Sequence, residues 1–274
     1  MSEVSSPSCR FVQIADVHYE AVDGEPLPLH TLPDNIPETN RVTAYADQLL
    51  ASALTFCDDE LAADFIIFTG DQVDAGWDEA GLKNQQEFSR CVTEYAPDVP
   101  VRFMFGNHDR PRSRYVEMYG ESIYSFTEAG CHFAVLDSGV MEGEEDPGIL
   151  EKGLRVLEET LEAAGDAPVA VFSHFYIEPT DIEGYSYRAA KQAREIIEKA
   201  GRAVPVINGH FHAGRISVRR GNPYFTASAF IEPPVQIYLH ELARESLRIH
   251  EYSIDPETGL WRGFEKCFFD LHGC

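Results

Sequence analysis

The sequence predicts an α/β fold, and three observations carry that reading. Short apolar runs alternate with segments whose apolar residues recur at helical spacing. Several of the strongly apolar runs lead directly into clusters of Asp, Asn or His. A length of 274 residues with 44% hydrophobic and 25% charged residues is enough for a large core and argues against disorder or a coiled coil.

Phe11 to Ala15 reads as a first strand, followed by a polar loop from Tyr19 to Asn40 that is too long for an ordinary connector. Val42, Tyr45, Ala46, Leu49, Leu50, Ala53 and Leu54 share one face, so a helix is expected over 41 to about 57. Phe65 to Phe68 is a buried strand, and Leu82, Gln85, Phe88, Val92 and Tyr95 mark a helix stopped by Pro97. Val101 to Phe105 is the third strand. Ile123 to Phe126 and His132 to Leu136 form a hairpin-like pair around Gly130. Asp146-Pro147 offers an N-cap and a proline at the first helical position, opening a helix through Leu150, Leu154, Leu157 and Leu161 to Gly165. Val169 to Phe172 is a strand, Ser186 to Ala200 a helix closed by Gly201, and Val204 to Ile207 a strand. Beyond Gly214, Arg215 to Arg219, Tyr224 to Ala229, Val235 to Leu239 and Leu247 to Tyr252 read as successive strands. No repeat or linker interrupts this series. One domain over 1-274 is expected, with a motif-bearing part over about 11-215 and a β-rich part over about 216-274.

The charge is unusual. Asp and Glu total 46 against 22 Lys and Arg, a formal net charge of −24. Such a field repels polyanions, which argues against general nucleic-acid binding and against docking on acidic lipid. Met1 to Arg10 has no basic stretch followed by an apolar core, and no apolar run approaches the roughly 20 residues that span a bilayer. A cytoplasmic protein without a membrane partner is the expectation. The six cysteines form no C-x-x-C pair and read as mostly buried thiols, with Cys267 to Cys274 the one bridge considered. Nothing in the pattern fixes an oligomeric state.

Five strand ends carry the chemistry: Asp16-Val17-His18, Gly70-Asp71-Gln72-Val73-Asp74, Gly106-Asn107-His108-Asp109, Ser173-His174 and Gly209-His210-Phe211-His212. Open α/β sheets place their sites at the carboxyl ends of strands, so these clusters should converge on one edge. Oxygen and imidazole donors without thiolate suit Mn, Fe, Zn, Co or Ni and argue against a structural zinc. In an extended chain, Asp16 and His18 fall on one side, as do His210 and His212. Glycines before Asp71, Asn107 and His210 permit sharp exits from the strands.

These motifs, in this order, resemble the calcineurin-like metallophosphoesterase superfamily over residues 11 to about 215. The resemblance implies a four-layer sandwich, two mixed β-sheets flanked by helices, with two metal ions joined by a shared Asp and a bridging hydroxide. It implies that Asp16, His18 and His212 hold the first metal, that Asn107, His174 and His210 hold the second, and that Asp71 bridges. It places His108 outside the metals, oriented by Asp74 and acting on the leaving group, and gives Leu136-Asp137-Ser138 a structural role. Two divalent ions lower the pKa of water and offset charge on phosphorus, so the protein needs mainly to position and polarise. A general acid at His108 is worth about 10²–10⁴-fold.

The superfamily also contains non-catalytic scaffold proteins, which tend to lose metal ligands; every expected ligand is present here. Protein phosphatases of the superfamily carry Arg after the second Asp of their G-D-x-V-D motif, where this chain has Ala75, and Glu where it has Asp109. A small phosphodiester, such as a cyclic nucleotide or a glycerophosphodiester, is therefore the expected substrate. A nucleotide-diphosphate pyrophosphohydrolase or a phosphomonoesterase is the alternative. Asp109 reads as a loop-capping carboxylate with a place near the metal ligands as the alternative, the acidic run Met141 to Asp146 as a solvated loop, and the histidines outside the motifs as surface or core groups. Specificity should reside in the loops Tyr19 to Asn40 and Phe175 to Arg188. Alongside Asn107 and His108, the substrate-contact candidates are Tyr176, Tyr185 and Tyr187, for stacking on a base or for simple packing, and Arg188, for a phosphate. Five Lys against 17 Arg beside 46 acids also resembles a salt-adapted composition. With metals in the cleft, −24 argues for a small anionic substrate rather than against one.

Overall fold

The computed structural model describes residues 9–21, 27–32, 41–137, 147–180 and 184–271. Its first half contains β1 (Cys9–Ile14), α1 (Ala46–Glu60), β2 (Phe65–Phe68), α2 (Glu79–Tyr95), β3 (Val101–Phe103), α3 (Arg112–Tyr119), β4 (Tyr124–Glu128) and β5 (Cys131–Leu136). Then follow α4 (Pro147–Ala164), β6 (Val169–Ser173), α5 (Ala190–Lys199), β7 (Val206–Asn208), β8 (Ala213–Arg219), β9 (Asn222–Ser228), β10 (Gln236–Ala243), β11 (Ser246–Asp255) and β12 (Leu260–Asp270). They form two six-stranded sheets, ordered β12-β11-β10-β1-β2-β3 and β4-β5-β6-β7-β9-β8.

Both sheets are mixed, and the parallel strands matter most for the site. β1, β2 and β3 run parallel in the first sheet, and β5, β6, β7 and β9 in the second. The β10-β11-β12 meander adds antiparallel to β1, so the β-rich part serves both sheets, β8 and β9 completing the second and the meander the first. Alternation along β1 divides the layers. Val12 and Ile14 meet Leu49, Leu50 and Leu54 of α1 and Phe88 of α2, while Phe11 faces the opposite sheet. Phe11 stacks on Phe65 at 5.0 Å and meets Phe133 and Phe172 edge-on at 5.6 Å. Behind the second sheet, Leu157 of α4 and Ala193 and Ile197 of α5 cover Leu136, Val171 and Val206. The result is helix, sheet, sheet, helix.

Several elements depart from the sequence reading. α3 buries Tyr115 alone, against Phe105 at 5.1 Å, so it carries no periodic apolar stripe that would announce it. β12 is largely exposed and lacks alternation. The helix expected from Ser186 starts at Ala190, because the backbone around Tyr185 and Tyr187 is tied to Tyr176: Tyr176 N–H donates to Tyr185 O at 2.8 Å, and Tyr187 N–H to Tyr176 O at 2.7 Å. The first turn of the 41–57 segment is a 3₁₀ turn, Thr43–Tyr45. Cys9, Cys57, Cys91 and Cys131 are buried free thiols and Cys267 is free and half-buried. The Asp146 cap, the Met141 to Asp146 run, Ser138, His272 and Cys274 lie outside the described residues, as does much of the Tyr19 to Asn40 loop. No helix among the described residues is long and apolar enough to cross a membrane.

Candidate metal centre

The donor residues follow the carboxyl ends of β1, β2 and β3 in one sheet and of β6 and β7 in the other. The edge on which they converge is thus shared by two sheets rather than belonging to one. Tight exits bring them there. Asp16, His18, Asp71 and His210 themselves adopt left-handed backbone, with φ of 52°, 42°, 52° and 68°, a costly conformation for side-chain-bearing residues that clusters at functional sites. Gly70 is left-handed too, at 94°, and a Cβ there would lie 2.3 Å from His174 Nδ1. Gly106 serves by close approach instead: a Cβ on it would lie 2.2 Å from both Asp71 N and Asp71 Oδ1.

Among the described residues three groups of donors form: Asp16 with His18 and His212, Asp71 with His174 and His210, and His18 with Asp74 and His108. Asp71 joins the first two. Its Oδ2 lies 3.7 Å from His18 Nε2 on one side and 3.2 Å from His174 Nε2 on the other. His108 N–H donates to its Oδ1 at 2.8 Å, fixing the carboxylate between the groups. Asp16 accepts from His210 N–H through both oxygens at 3.0 Å and lies 3.7 Å from His212 Nε2. Asn107 Oδ1 is 3.2 Å from His174 Nε2, which brings all seven sequence-derived ligand candidates to one cleft.

The imidazoles are oriented from behind. His174 Nδ1 is 2.8 Å from Thr69 O, His212 Nδ1 is 2.6 Å from Glu232 Oε1, and His18 Nδ1 is 3.0 Å from Asp74 Oδ1. Each ring therefore turns Nε2 inward. His210 is reversed, with Nε2 3.3 Å from Gly184 O, leaving Nδ1 for the cleft. The Nε2 atoms of His18 and His212 face each other at 3.2 Å with carboxylates beside both. Inward lone pairs and oxygens without thiolate suit a pair of divalent or transition-metal cations, so the residues fit the centre that the motifs imply.

The electrostatics of the cluster are set by burial and by mutual contact. Burial opposes the charge on Asp71, but His174 and His18 hold its carboxyl well below the usual range. Burial likewise opposes charge on His174, yet Asp71 draws it up to about 9. Burial pushes Asp16 up and His18 down, and burial with the neighbouring His174 takes His210 down to about 3. Asp109 is fully buried and accepts from Gly106 N–H at 2.8 Å, Gln72 N–H at 2.8 Å and Asp71 N–H at 3.0 Å. It ties the β2 and β3 exits together.

Asp74 reaches His108 through its backbone, and two of the three tyrosines take the packing alternative. His108 Nδ1 meets the backbone carbonyl of Asp74, not its carboxylate, whose Oδ1 is 3.8 Å away. That carboxylate turns to His18 and to Arg41, and the hydrogen bond to His18 first, despite burial, lowers it to about 2. Tyr187 is buried in the core between α4 and α5 and Tyr176 is also buried, so neither offers a face to a base. Tyr185 is half-buried with its ring 4.7 Å from His210, and Arg188 is exposed. Asp137 holds Arg112 at 2.6 and 3.1 Å, a structural pairing.

Sequence reasoning missed Arg41 and Glu232. Arg41 reaches Asp74, approaches His18 Nε2 at 3.5 Å and lies 4.0 Å from Glu232 Oε1. It brings a guanidinium into the cleft although Ala75 stands at the motif position for one. Both residues lie in loops without a local pattern, so no sequence signal marks them.

A family model, calcineurin-like phosphoesterase, matches residues 9–214. The chain belongs to the calcineurin-like phosphoesterase family. Its fold is similar to that of a dimetal phosphatase from Danio rerio, with a TM-score of 0.68, 17% identity, and coverage of 89% of this chain and 96% of that one. It is also similar to GAP50, the anchor in the inner membrane complex of Plasmodium, with a TM-score of 0.62, 15% identity, and coverage of 96% of this chain and 89% of that one. No curated protein matches the sequence. At these identities the structural likeness concerns the fold; membership of the phosphoesterase family carries with it a binuclear divalent-metal centre, for which the grouped donors are the candidates.

Proposed function

We propose that this calcineurin-like phosphoesterase hydrolyses a small phosphodiester, with two divalent cations held by Asp16, His18 and His212 and by Asn107, His174 and His210, and with Asp71 shared. The observation that carries this reading is the single Asp71 oxygen lying between His18 Nε2 and His174 Nε2, at 3.7 and 3.2 Å. When bound, two such ions activate water near neutral pH and offset charge on the phosphoryl group.

The chain's own residues supply the rest. His108 stands at the cleft with Nδ1 against the Asp74 carbonyl, so Nδ1–H donates there and Nε2 is the nitrogen that delivers a proton to the departing oxygen. Asn107, beside it, offers its side-chain amide to a phosphoryl oxygen. Charge favours the diester. Arg41 is already engaged by Asp74 and faces Glu232, so it is poorly placed to take up the second negative charge of a monoester. Mn²⁺ or another transition metal suits these donors. The test is a substrate panel with Mn²⁺ comparing a cyclic nucleotide, a glycerophosphodiester, a nucleotide sugar and a phosphomonoester. Preference for the monoester overturns the diester assignment. Asp71→Asn should reduce hydrolysis of every active substrate by at least about 10²-fold, and intact metal-dependent activity in that variant would remove the shared-carboxylate reading.

A further inference from the structure

Trp77 is 48% exposed and belongs to none of the hydrophobic clusters among the described residues. Its placement is nonetheless tightly controlled. On its amino side, Gly76 N–H donates to His108 O at 2.9 Å, and a Cβ at Gly76 would lie 2.7 Å from Arg110 O and 2.9 Å from His108 O. Only glycine lets the loop after β2 lie directly on the 108–110 backbone. On its carboxyl side, Asp78 caps α2 by accepting from Gly81 N–H at 2.7 Å. Arg114 Nη1 spans both flanks, donating to Gly76 O at 2.5 Å and to Asp78 O at 3.1 Å. The indole itself is 6.0 Å from the His108 ring, and the Arg110 guanidinium stacks over it at 4.6 Å.

A half-exposed indole is not unusual in itself; what singles this one out is its place beside His108. If His108 delivers the proton to the departing oxygen, the leaving group extends past His108 toward Trp77. We infer that Trp77, braced by Arg110, is the leaving-group subsite and takes a planar nucleobase, making the substrate a nucleoside phosphodiester rather than a glycerol-type one. This rests on the role given to His108 under the proposed function. A nucleoside places its base about one sugar beyond the phosphate, which suits a ring adjacent to His108 rather than one among the metal ligands. Base-on-aromatic stacking tolerates any base, so purine and pyrimidine nucleotides should both bind.

The test measures binding and turnover separately on the Mn²⁺-loaded full chain. Calorimetric titration with AMP and with glycerol 3-phosphate is made on wild type, Trp77→Ala and Trp77→Phe. Trp77→Ala should weaken AMP about tenfold or more and leave glycerol 3-phosphate unchanged, and Trp77→Phe should restore most of the AMP affinity. In parallel, Trp77→Ala should raise KM for a cyclic nucleotide more than for a glycerophosphodiester, with kcat changed less. Equal effects on both ligands, no effect on either, or wild type binding AMP no more tightly than glycerol 3-phosphate overturns the subsite. Trp77-dependent AMP binding without hydrolysis of any diester overturns the proposed function instead.

Discussion

Glu232 receives His212 Nδ1 at 2.6 Å, from a loop after β9 that no motif marks. A carboxylate behind a metal-ligating imidazole fixes the tautomer and raises ligand basicity, and its loss typically costs about 10–100-fold in metal affinity. Glu232→Ala should therefore weaken Mn²⁺ binding by that factor in a titration of the metal-free protein. Unchanged affinity would mean that Glu232 serves Arg41 alone. His174 makes a pH prediction. Burial disfavours its charge, but Asp71 raises it to about 9 without metal, so at pH 7 it is protonated and must lose that proton to bind a cation. Mn²⁺ affinity should rise with pH from 7 toward 9, with proton release on binding visible as a dependence of the calorimetric heat on buffer ionisation enthalpy. His174→Asn should lose that component.

The strand exits decide the precision of the site. The β3 exit at Gly106 lies so close to the β2 exit that a single methyl would strike both the amide and the carboxylate of Asp71. Because the obstacle includes backbone, it cannot yield cheaply. Gly106→Ala should lower hydrolysis by about 10²-fold through displacement of Asp71, and thermal unfolding should show a lower Tm as well. Retained activity would mean that the two exits separate without consequence. The elements were legible in the sequence where periodicity accompanies burial: β2 at Phe65–Phe68 and the apolar face of α1 are examples. Where burial is one-residue deep, as in α3, or nearly absent, as in β12, the pattern carried no signal. The start of the helix expected from Ser186 was misplaced because Tyr176, far from it in any local window, captures the backbone of 185–187.

For the whole molecule, the excess of acids acts in two places. Asp16 and Asp71 lie wholly buried among the donors, and cations there offset them. Most of the rest repel one another over a surface with few lysines, Asp109, Asp137, Glu178 and Glu251 being buried. Screening weakens that repulsion, with a Debye length falling from ~30 Å at 0.01 M to ~10 Å at 0.1 M salt. Tm should accordingly drop as ionic strength is lowered in a metal-free buffer. A Tm independent of salt would count against a salt-adapted surface.

The sequence alone singled out the candidate metal donors, because ligand chemistry is written in residue type and order: Asp16 and His18, Asp71, Asn107, His174, His210 and His212 all follow strands. It also determined the α/β class, since alternation and helical spacing are local, while the layered sandwich came from the resemblance the motifs carry. Only the tertiary structure decided that the cleft is shared by two sheets, that Arg41 and Glu232 enter it, that Asp74 serves His18 with its carboxylate and His108 with its carbonyl, and that Tyr176 and Tyr187 are core. These depend on contacts between residues remote in sequence, such as His212 with His18, and on which side of a chain segment finds a partner. No local period encodes them.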